Sequence, residues 1–256
     1  MSSIVIIPAR FASTRFPGKP LAVVGGKTVI QRVYENSKMS RLASKVVVAT
    51  DDDKIFDAVT DFGGLAVMTS AHHLSGTDRI AEVAHMSAYE GYDIIINVQG
   101  DEPLIRPEMI DDAIELLSDP EADISTLAVR ITRPEDVFDP NVVKVVFDKR
   151  GFALYFSRAP IPFHRESWRR SSGGGYEAAG RIKAFKHVGI YGYRRRALLR
   201  MSILPESAIE AIEKLEQLRA LEDGMRIKVK ETAFETIGVD TPEDMEKVEK
   251  WLSTSL

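Results

Sequence analysis

Three cations stand within ten positions of one another near the start of the chain: Arg10, Arg15 and Lys19, in the stretch Pro8-Ala9-Arg10-Phe11-Ala12-Ser13-Thr14-Arg15-Phe16-Pro17-Gly18-Lys19-Pro20. Small residues and a glycine separate them. Arginine offers a two-pronged donor fork and lysine a point charge, so the group suits a polyphosphate. The stretch follows the apolar run Ile4–Ala9. If that run is the first strand of an open α/β sheet, its exit loop faces the crevice where such sheets bind ligands. A solvated basic loop is the competing reading, and the two stand about even. A second apolar run, Ile94–Val98, leads into Gln99-Gly100-Asp101-Glu102-Pro103. A carboxylate where a buried strand emerges suits Mg²⁺, which takes one or two carboxylates and completes its shell with water and phosphate oxygens. The alternative is a turn residue or a helix cap. Asp240, in Gly238-Val239-Asp240-Thr241-Pro242, sits beside a helix start, where an aspartate is usually structural.

Two further positions invite chemistry without deciding it. A helix from Ser207 would turn Ile209, Ile212, Leu215 and Leu218 toward the core, and Glu216 falls in the same arc. A buried carboxylate needs a partner. Arg219 at i+3 or a polar ligand could be that partner. His187 lies in Phe185–Tyr193, whose period of two puts His187, Gly189, Tyr191 and Tyr193 on one face. A histidine in a strand is usually a satisfied structural residue, but two tyrosines beside it favour a sugar-like or acidic ligand. The pair His72-His73 has no third histidine or carboxylate at metal-ligand spacing and reads as surface loop. Gly26-Lys27-Thr28 resembles the end of a Walker A loop, but the required earlier glycine is Leu21. No G-x-G-x-x-G follows a strand.

Composition removes several classes of function. With 34 Lys+Arg against 38 Asp+Glu over 256 residues, the net charge is −4, which argues against a nucleic-acid binder held by bulk charge. There is no cysteine, so disulfides, thiol nucleophiles and cysteine-based metal sites are excluded. No apolar run approaches the roughly 20 residues that span a bilayer. The first basic residue follows the first apolar run, the reverse of a secretory signal. A cytoplasmic protein is the expectation.

The elements that must hold these residues alternate. Ile4–Ala9, Lys45–Ala49 and Ile94–Val98 are Val/Ile-rich runs of strand length, and near-continuous apolar character implies burial on both faces. Between them, Val29–Met39, Asp53–Asp61 and Thr77–Ala88 have helical period. The expected fold is α/β: a mostly parallel twisted sheet with helices on both faces. Val142–Phe147, the turn Asp148–Gly151 and Phe152–Phe156 predict an antiparallel hairpin appended to it. Residues 164–182, with three consecutive glycines, read as a mobile loop of functional or interface use. Ser207 with Glu210 forms a capping box, and Thr241-Pro242 opens the last helix.

Taken together, IIPARFASTRFPGKPL, VVVATDDDKI, SGTDRIAEV, INVQGDEPLI, KVVFDKRGFALYFSRAPIP, FKHVGIYGYRR, LEQLRAL and GVDTPEDMEKV resemble the 3-deoxy-manno-octulosonate cytidylyltransferases, in order and spacing from residue 4 to about residue 250. The resemblance implies one nucleotidyltransferase domain over 1–256, with about 130–205 supplying a smaller sugar-binding and dimerisation portion, usually as a homodimer. It implies transfer of CMP from CTP to 3-deoxy-manno-octulosonate (Kdo) with Mg²⁺, in the cytoplasm, for lipopolysaccharide synthesis, without nucleic acid or membrane insertion. By the same resemblance Arg10, Arg15 and Lys19 would hold the CTP phosphates, and Thr50 and Asp51 would line the nucleotide pocket. Ser75, Arg79 and Gln99 would lie near base and sugar acid. Asp101 and Asp240 would ligate Mg²⁺ and, with Lys19, form the catalytic set. Arg158, His187, Tyr191, Glu216 and Gln217, with Gln99, would contact Kdo. Loop 164–182 departs from the family in composition. A cytidylyltransferase for 8-amino-Kdo or sialic acid is the nearest alternative, and a non-catalytic nucleotide-binding regulator is one of another class.

Overall fold

Alternation of side chains along a strand explains why the first apolar run has no polar face. In the computed structural model, which describes residues 1–12, 15–166, 168–170, 176–178 and 183–254, strand β1 (Ser3–Ala9) is buried at every position. Val5, Ile7 and Ala9 enter one apolar layer while Ile4 and Ile6 enter the layer on the opposite face. The chain then forms a small hairpin, β2 (Val23–Val24) and β3 (Lys27–Thr28), and continues through α1 (Val29–Lys38), β4 (Lys45–Thr50), α2 (Asp53–Asp61), β5 (Ala66–Met68) and α3 (Gly76–His85). Next come β6 (Ile94–Asn97), α4 (Pro107–Leu116), β7 (Ile124–Arg130), α5 (Pro134–Phe138) and the hairpin β8 (Lys144–Phe147) and β9 (Ala153–Ser157). The remainder is β10 (Trp168–Arg170), β11 (Tyr176–Ala178), β12 (Phe185–Arg194), α6 (Arg195–Met201), α7 (Ala208–Glu213), α8 (Gln217–Glu222), β13 (Ile227–Glu231) and α9 (Pro242–Thr254).

The main sheet runs β13-β7-β12-β6-β1-β4-β5, and β8 and β9 extend it from the first residues of β12. Along that path only β12 runs against its neighbours. Helices α1, α2 and α4 cover one face through Ile30, Val33, Ile55, Val59, Met109 and Ile110. Helices α3, α6 and α8 cover the other through Ile80, Val83, Leu198, Met201 and Leu218. This is the α/β sheet with helices on both faces that the periodicity predicts, including the antiparallel hairpin. The reversed strand matters for the site. Tyr191 pairs with Asn97, the last residue of β6, so the preceding residues of β12 run on past the end of β6, beside Gln99–Glu102.

Three expectations change. The helix from Ser207 is not continuous: it ends at Glu213, Lys214 adopts a left-handed backbone (φ 54°), and α8 starts afresh at Gln217. The break leaves Ile212 in solvent at 81% exposure while Leu215 and Leu218 stay buried. Arg219 consequently meets Glu210, through Nε to Oε2 at 2.8 Å and Nη2 to Oε1 at 2.6 Å, rather than forming the i+3 pair with Glu216. Within 164–182 the described residues hold a short antiparallel pair, β10 with β11, where a structureless loop was expected. The three glycines 173–175 lie outside the described residues.

Lys144 is wholly buried, and its ammonium donates to the carbonyls of Asp139 (2.8 Å), Val142 (2.5 Å) and Arg158 (2.6 Å). Lys144→Met would strip three backbone acceptors of their donor and is expected to cost about 3 kcal/mol in urea denaturation. Lys27→Met, which removes an exposed pair with Glu35, should cost at most about 1 kcal/mol. Equal losses for the two variants would show that the three carbonyls find other partners.

Candidate active site

The cationic loop and the exit of β6 are pressed together by a residue with no side chain. A Cβ on Gly100 would come within 2.8 Å of the Pro8 carbonyl oxygen, so only glycine lets this turn lie against the end of β1. On the other side, the Gly18 amide donates to the Phe11 carbonyl (2.9 Å) and closes the cationic loop, with Gly18 itself at φ 71°. Lys19 follows in the first turn of a 3₁₀ segment (Lys19–Leu21) and reaches Asp101. Its ammonium donates to Asp101 Oδ2 and, at 2.9 Å, to Asp240 Oδ1. Arg15 Nη2 lies 2.9 Å from Asp240 Oδ2. Burial pulls the Lys19 ammonium toward its neutral form, but Asp101 and Asp240 outweigh this and hold its pKa above the usual lysine value.

Asp240 is therefore not the cap of α9. The amides of Asp240 and Thr241 both donate to Asp244 Oδ2, at 3.2 and 3.1 Å, so Asp244 serves the helix start and the Asp240 carboxylate faces the cations. The Val239 amide donates to the Asp101 carbonyl at 2.8 Å, which fixes the two backbones side by side.

Arg10, Arg15, Lys19, Ser75, Arg79, Gln99, Asp101 and Asp240 all line one cavity of about 660 Å³. Thr50 and Asp51 stand behind this wall. Asp51 Oδ2 is 3.1 Å from Arg79 Nη2, and the wholly buried Thr50 accepts the Thr69 amide on its carbonyl at 2.8 Å. They set the position of Arg79, whose Nη1 also donates to Thr69 Oγ1 at 2.5 Å. His73, expected as surface loop, lines the same cavity, with Nε2 on the carboxylate of Glu82. The spacing of nine residues hid that pair because α3 folds back over the loop.

Of the residues expected to hold a sugar acid, Gln99 lines this cavity, whereas Arg158, His187, Tyr191, Glu216 and Gln217 do not. His187, Tyr191 and Tyr193 pack ring to ring along β12, with centroids 5.3 and 5.9 Å apart, and Phe156 closes edge-on against His187 at 5.1 Å. Withdrawal from water pushes the His187 pKa down to about 3, so the ring is neutral at pH 7. Its Nε2 lies 2.9 Å from Thr126 Oγ1, whose proton goes to the Ile190 carbonyl at 2.7 Å. Nε2 is accordingly the donor of the pair and Nδ1 an acceptor. Glu216 accepts from Thr77 Oγ1 at 2.5 Å and from the Ser75 hydroxyl; burial raises its pKa above the usual glutamate value. Ser75 thus touches both the cavity and the Glu216 cluster. Gln217 is buried at the start of α8. Arg158 spends its guanidinium on the carbonyls of Glu213 (2.7 Å), Pro140 (2.9 Å) and Lys214 (3.4 Å), which ties β9 to the turn that presents Glu216.

Thr77 was not singled out in the sequence, and Glu102 was noted only as the second carboxylate where β6 emerges. Thr77 sits two residues after Ser75 and joins Tyr193 to Glu216, a link visible only once β12 and α8 meet α3. Glu102 lines a separate cavity of about 190 Å³ with Lys186, His187 and Thr236. Burial, then the charge of Asp101, raises its pKa to about 7.

The donor set fits Mg²⁺. Two carboxylates converge on Lys19, and the donors they offer are all oxygen. An ion held by two carboxylates leaves its remaining positions to water and phosphate oxygens.

A cytidylyltransferase family model matches residues 4–227. A 3-deoxy-manno-octulosonate cytidylyltransferase of Thermodesulfovibrio yellowstonii is 53% identical over 99% of both chains, and one of Geobacter sulfurreducens is 56% identical over 97% of this chain and 98% of its own. A solved structure of CMP:2-keto-3-deoxy-manno-octonic acid synthetase complexed with CTP superposes with a TM-score of 0.88 at 43% identity, covering all of both chains. The 4-diphosphocytidyl-2C-methyl-D-erythritol synthase of Anaerococcus prevotii shares the fold alone, at 12% identity and a TM-score of 0.64, covering 98% of this chain and 96% of its own. A cation-lined cavity with paired carboxylates, on a fold matched over its whole length by these relatives, places this chain in the 3-deoxy-manno-octulosonate cytidylyltransferase family.

Proposed function

We propose that the protein transfers CMP from CTP to Kdo, giving CMP-Kdo and pyrophosphate for lipopolysaccharide synthesis. The observation that carries this reading is the convergence of Lys19, Asp101 and Asp240 in a cavity that also presents Arg10 and Arg15. The anomeric hydroxyl of the sugar acid must attack the α-phosphorus of CTP in line while pyrophosphate departs. Transfer of this kind needs positioning and charge neutralisation more than covalent help, which agrees with a chain lacking cysteine. Arg10, Arg15 and Lys19 would hold the phosphates and stabilise the leaving pyrophosphate. Asp101 and Asp240 would hold Mg²⁺, which when bound neutralises charge on the phosphate oxygens.

Glu216, His187 and Tyr191, with Gln217, would receive the sugar acid, and Ser75 and Gln99 would bound both substrates. The neutral His187 offers an acceptor at Nδ1 to a sugar hydroxyl. A homodimer and a cytoplasmic location belong to the same proposal; among the described residues no helix is long and apolar enough to cross a membrane. Residues 130–205 are proposed as the portion that serves sugar binding and dimerisation. The relatives are named for Kdo, which favours it over 8-amino-Kdo or sialic acid.

Pyrophosphate release from CTP that requires Kdo would support the reading, and release indifferent to any sugar acid would defeat it. Asp101→Asn and Asp240→Asn are each expected to lower turnover by about a hundredfold or more while the fold persists by circular dichroism. The double variant should be little worse than either single one, because groups acting as a unit are not additive. Near-normal turnover of Asp240→Asn at limiting Mg²⁺ would leave Asp101 as sole ligand. His187→Ala should raise the KM for Kdo about tenfold and leave that for CTP within about twofold. An unchanged Kdo KM would remove His187 from the sugar site.

A further inference from the structure

Glu102 closes the turn at the exit of β6, and the reading above gives it no task. Its amide donates to the Gln99 carbonyl at 3.2 Å and its carbonyl accepts the Ile105 amide at 3.0 Å, so the turn fixes where the residue stands. Asp101 lines the large cavity, whereas Glu102 lines the smaller, separate one. There its carboxyl meets the segment that carries Asp240. The Thr236 hydroxyl is hydrogen-bonded to it, and a Cβ on Gly238 would stand 3.2 Å from Oε1 and 3.7 Å from Cδ. The Gly238 backbone therefore packs directly on the carboxyl group. Oε2 is buried without a hydrogen-bond partner among the described residues, so the contacts with Thr236 and Gly238 are what account for the placement.

Asp240 needs such support. It lies between the end of β13 at Glu231 and the start of α9 at Pro242, in a stretch without helix or strand. Two neighbouring residues of one turn grip this stretch. Asp101 does so through its carbonyl, which accepts the Val239 amide at 2.8 Å, and Glu102 does so through its side chain, on Thr236 and Gly238. A single backbone hydrogen bond would leave the segment free to pivot about it. The side-chain contact supplies a second point, and two points set the angle at which Asp240 faces Asp101 across Lys19. We propose that Glu102 is a positioning residue, a strut between the two backbones that sets the separation of the Asp101 and Asp240 carboxylates and hence their fit to a divalent ion. Outer contacts of this kind govern metal affinity without touching the ion. The proposal rests on Asp101 and Asp240 holding that ion.

Mn²⁺ accepts the same oxygen ligands as Mg²⁺, and its binding to the protein without nucleotide, followed by water-proton relaxation, reads the site apart from turnover. Glu102→Ala should raise the Mn²⁺ Kd about tenfold or more. The Mg²⁺ needed for half-maximal pyrophosphate release should rise by a similar factor, with the KM for Kdo within about twofold. Glu102→Gln keeps the size of the side chain and an oxygen for Thr236, so its Kd should stay within about threefold of the unaltered protein. Gly238→Ala presses a methyl against the carboxyl and should raise Kd about threefold, yet add nothing in the Glu102→Ala background, where the space is free. Glu102→Gln as impaired as Glu102→Ala would show that charge acts there and not a strut, and would overturn the assignment. Unchanged Mn²⁺ binding in Glu102→Ala would overturn it as well. If Glu102→Ala does not fold by circular dichroism, Gly238→Ala decides, and binding equal to that of the unaltered protein overturns the proposal. Mn²⁺ binding that survives both Asp101→Asn and Asp240→Asn would defeat the metal reading, and the strut with it. The expected Mn²⁺ pattern without Kdo-dependent pyrophosphate release would defeat the proposed substrate and support the strut.

Discussion

The contact of one lysine with two carboxylates holds the site together. Lys19, Asp101 and Asp240 come from the exit of the first strand, the exit of β6 and the entry to the last helix. Two carboxylates this close would repel one another without a cation between them, and burial alone would pull the lysine pKa down without the carboxylates. Each group therefore stabilises the charge state of the others. Around this joint the backbones interlock, with the Val239 amide on the Asp101 carbonyl and Gly100 pressed on Pro8.

A second constraint is the direction of β12. Because it runs against β6 and β7, its early residues extend beyond the end of β6, to the edge where the parallel strands open. A parallel strand in that place would have ended at the same level as its neighbours. The reversal brings Tyr193 to Thr77 at the head of α3, with Tyr191 and His187 ring to ring beyond it, and Glu216, just past the break at Lys214, meets Thr77 and Ser75. Arg158 holds that break through the carbonyls of Glu213 and Lys214, and the buried Lys144 in turn donates to the Arg158 carbonyl.

The two proposed sides of the site are built differently, in keeping with the ligand proposed for each. The phosphate side is open and strongly charged, with Arg15 exposed and its partner Asp240 partly so. The proposed sugar side is aromatic and half-buried, with a histidine and a glutamate whose charged forms burial disfavours. A polyanion needs compensating charge that salt and water can reach; a polyol needs fixed donors and acceptors in a place where they do not compete with water.

The sequence by itself determined the layered sheet, because Ile4–Ala9, Lys45–Ala49 and Ile94–Val98 are apolar at successive positions and can only be buried on both faces. It determined the hairpin at 148–151 and the capped starts of the helices at Ser207 and Thr241–Pro242, since turn and cap chemistry is local. By residue type alone it marked Arg10, Arg15 and Lys19 as candidates for phosphate, with a solvated basic loop as the competing reading. Only the tertiary structure decided that Asp240 faces cations while Asp244 serves the helix. It likewise decided that Glu216 answers to Thr77 and not to Arg219, and that His73 belongs to the cavity through Glu82. Those pairings join residues from different elements, in two cases more than a hundred positions apart. Periodicity reports which way a side chain faces within its own element; which charge it meets there is set by how the elements pack.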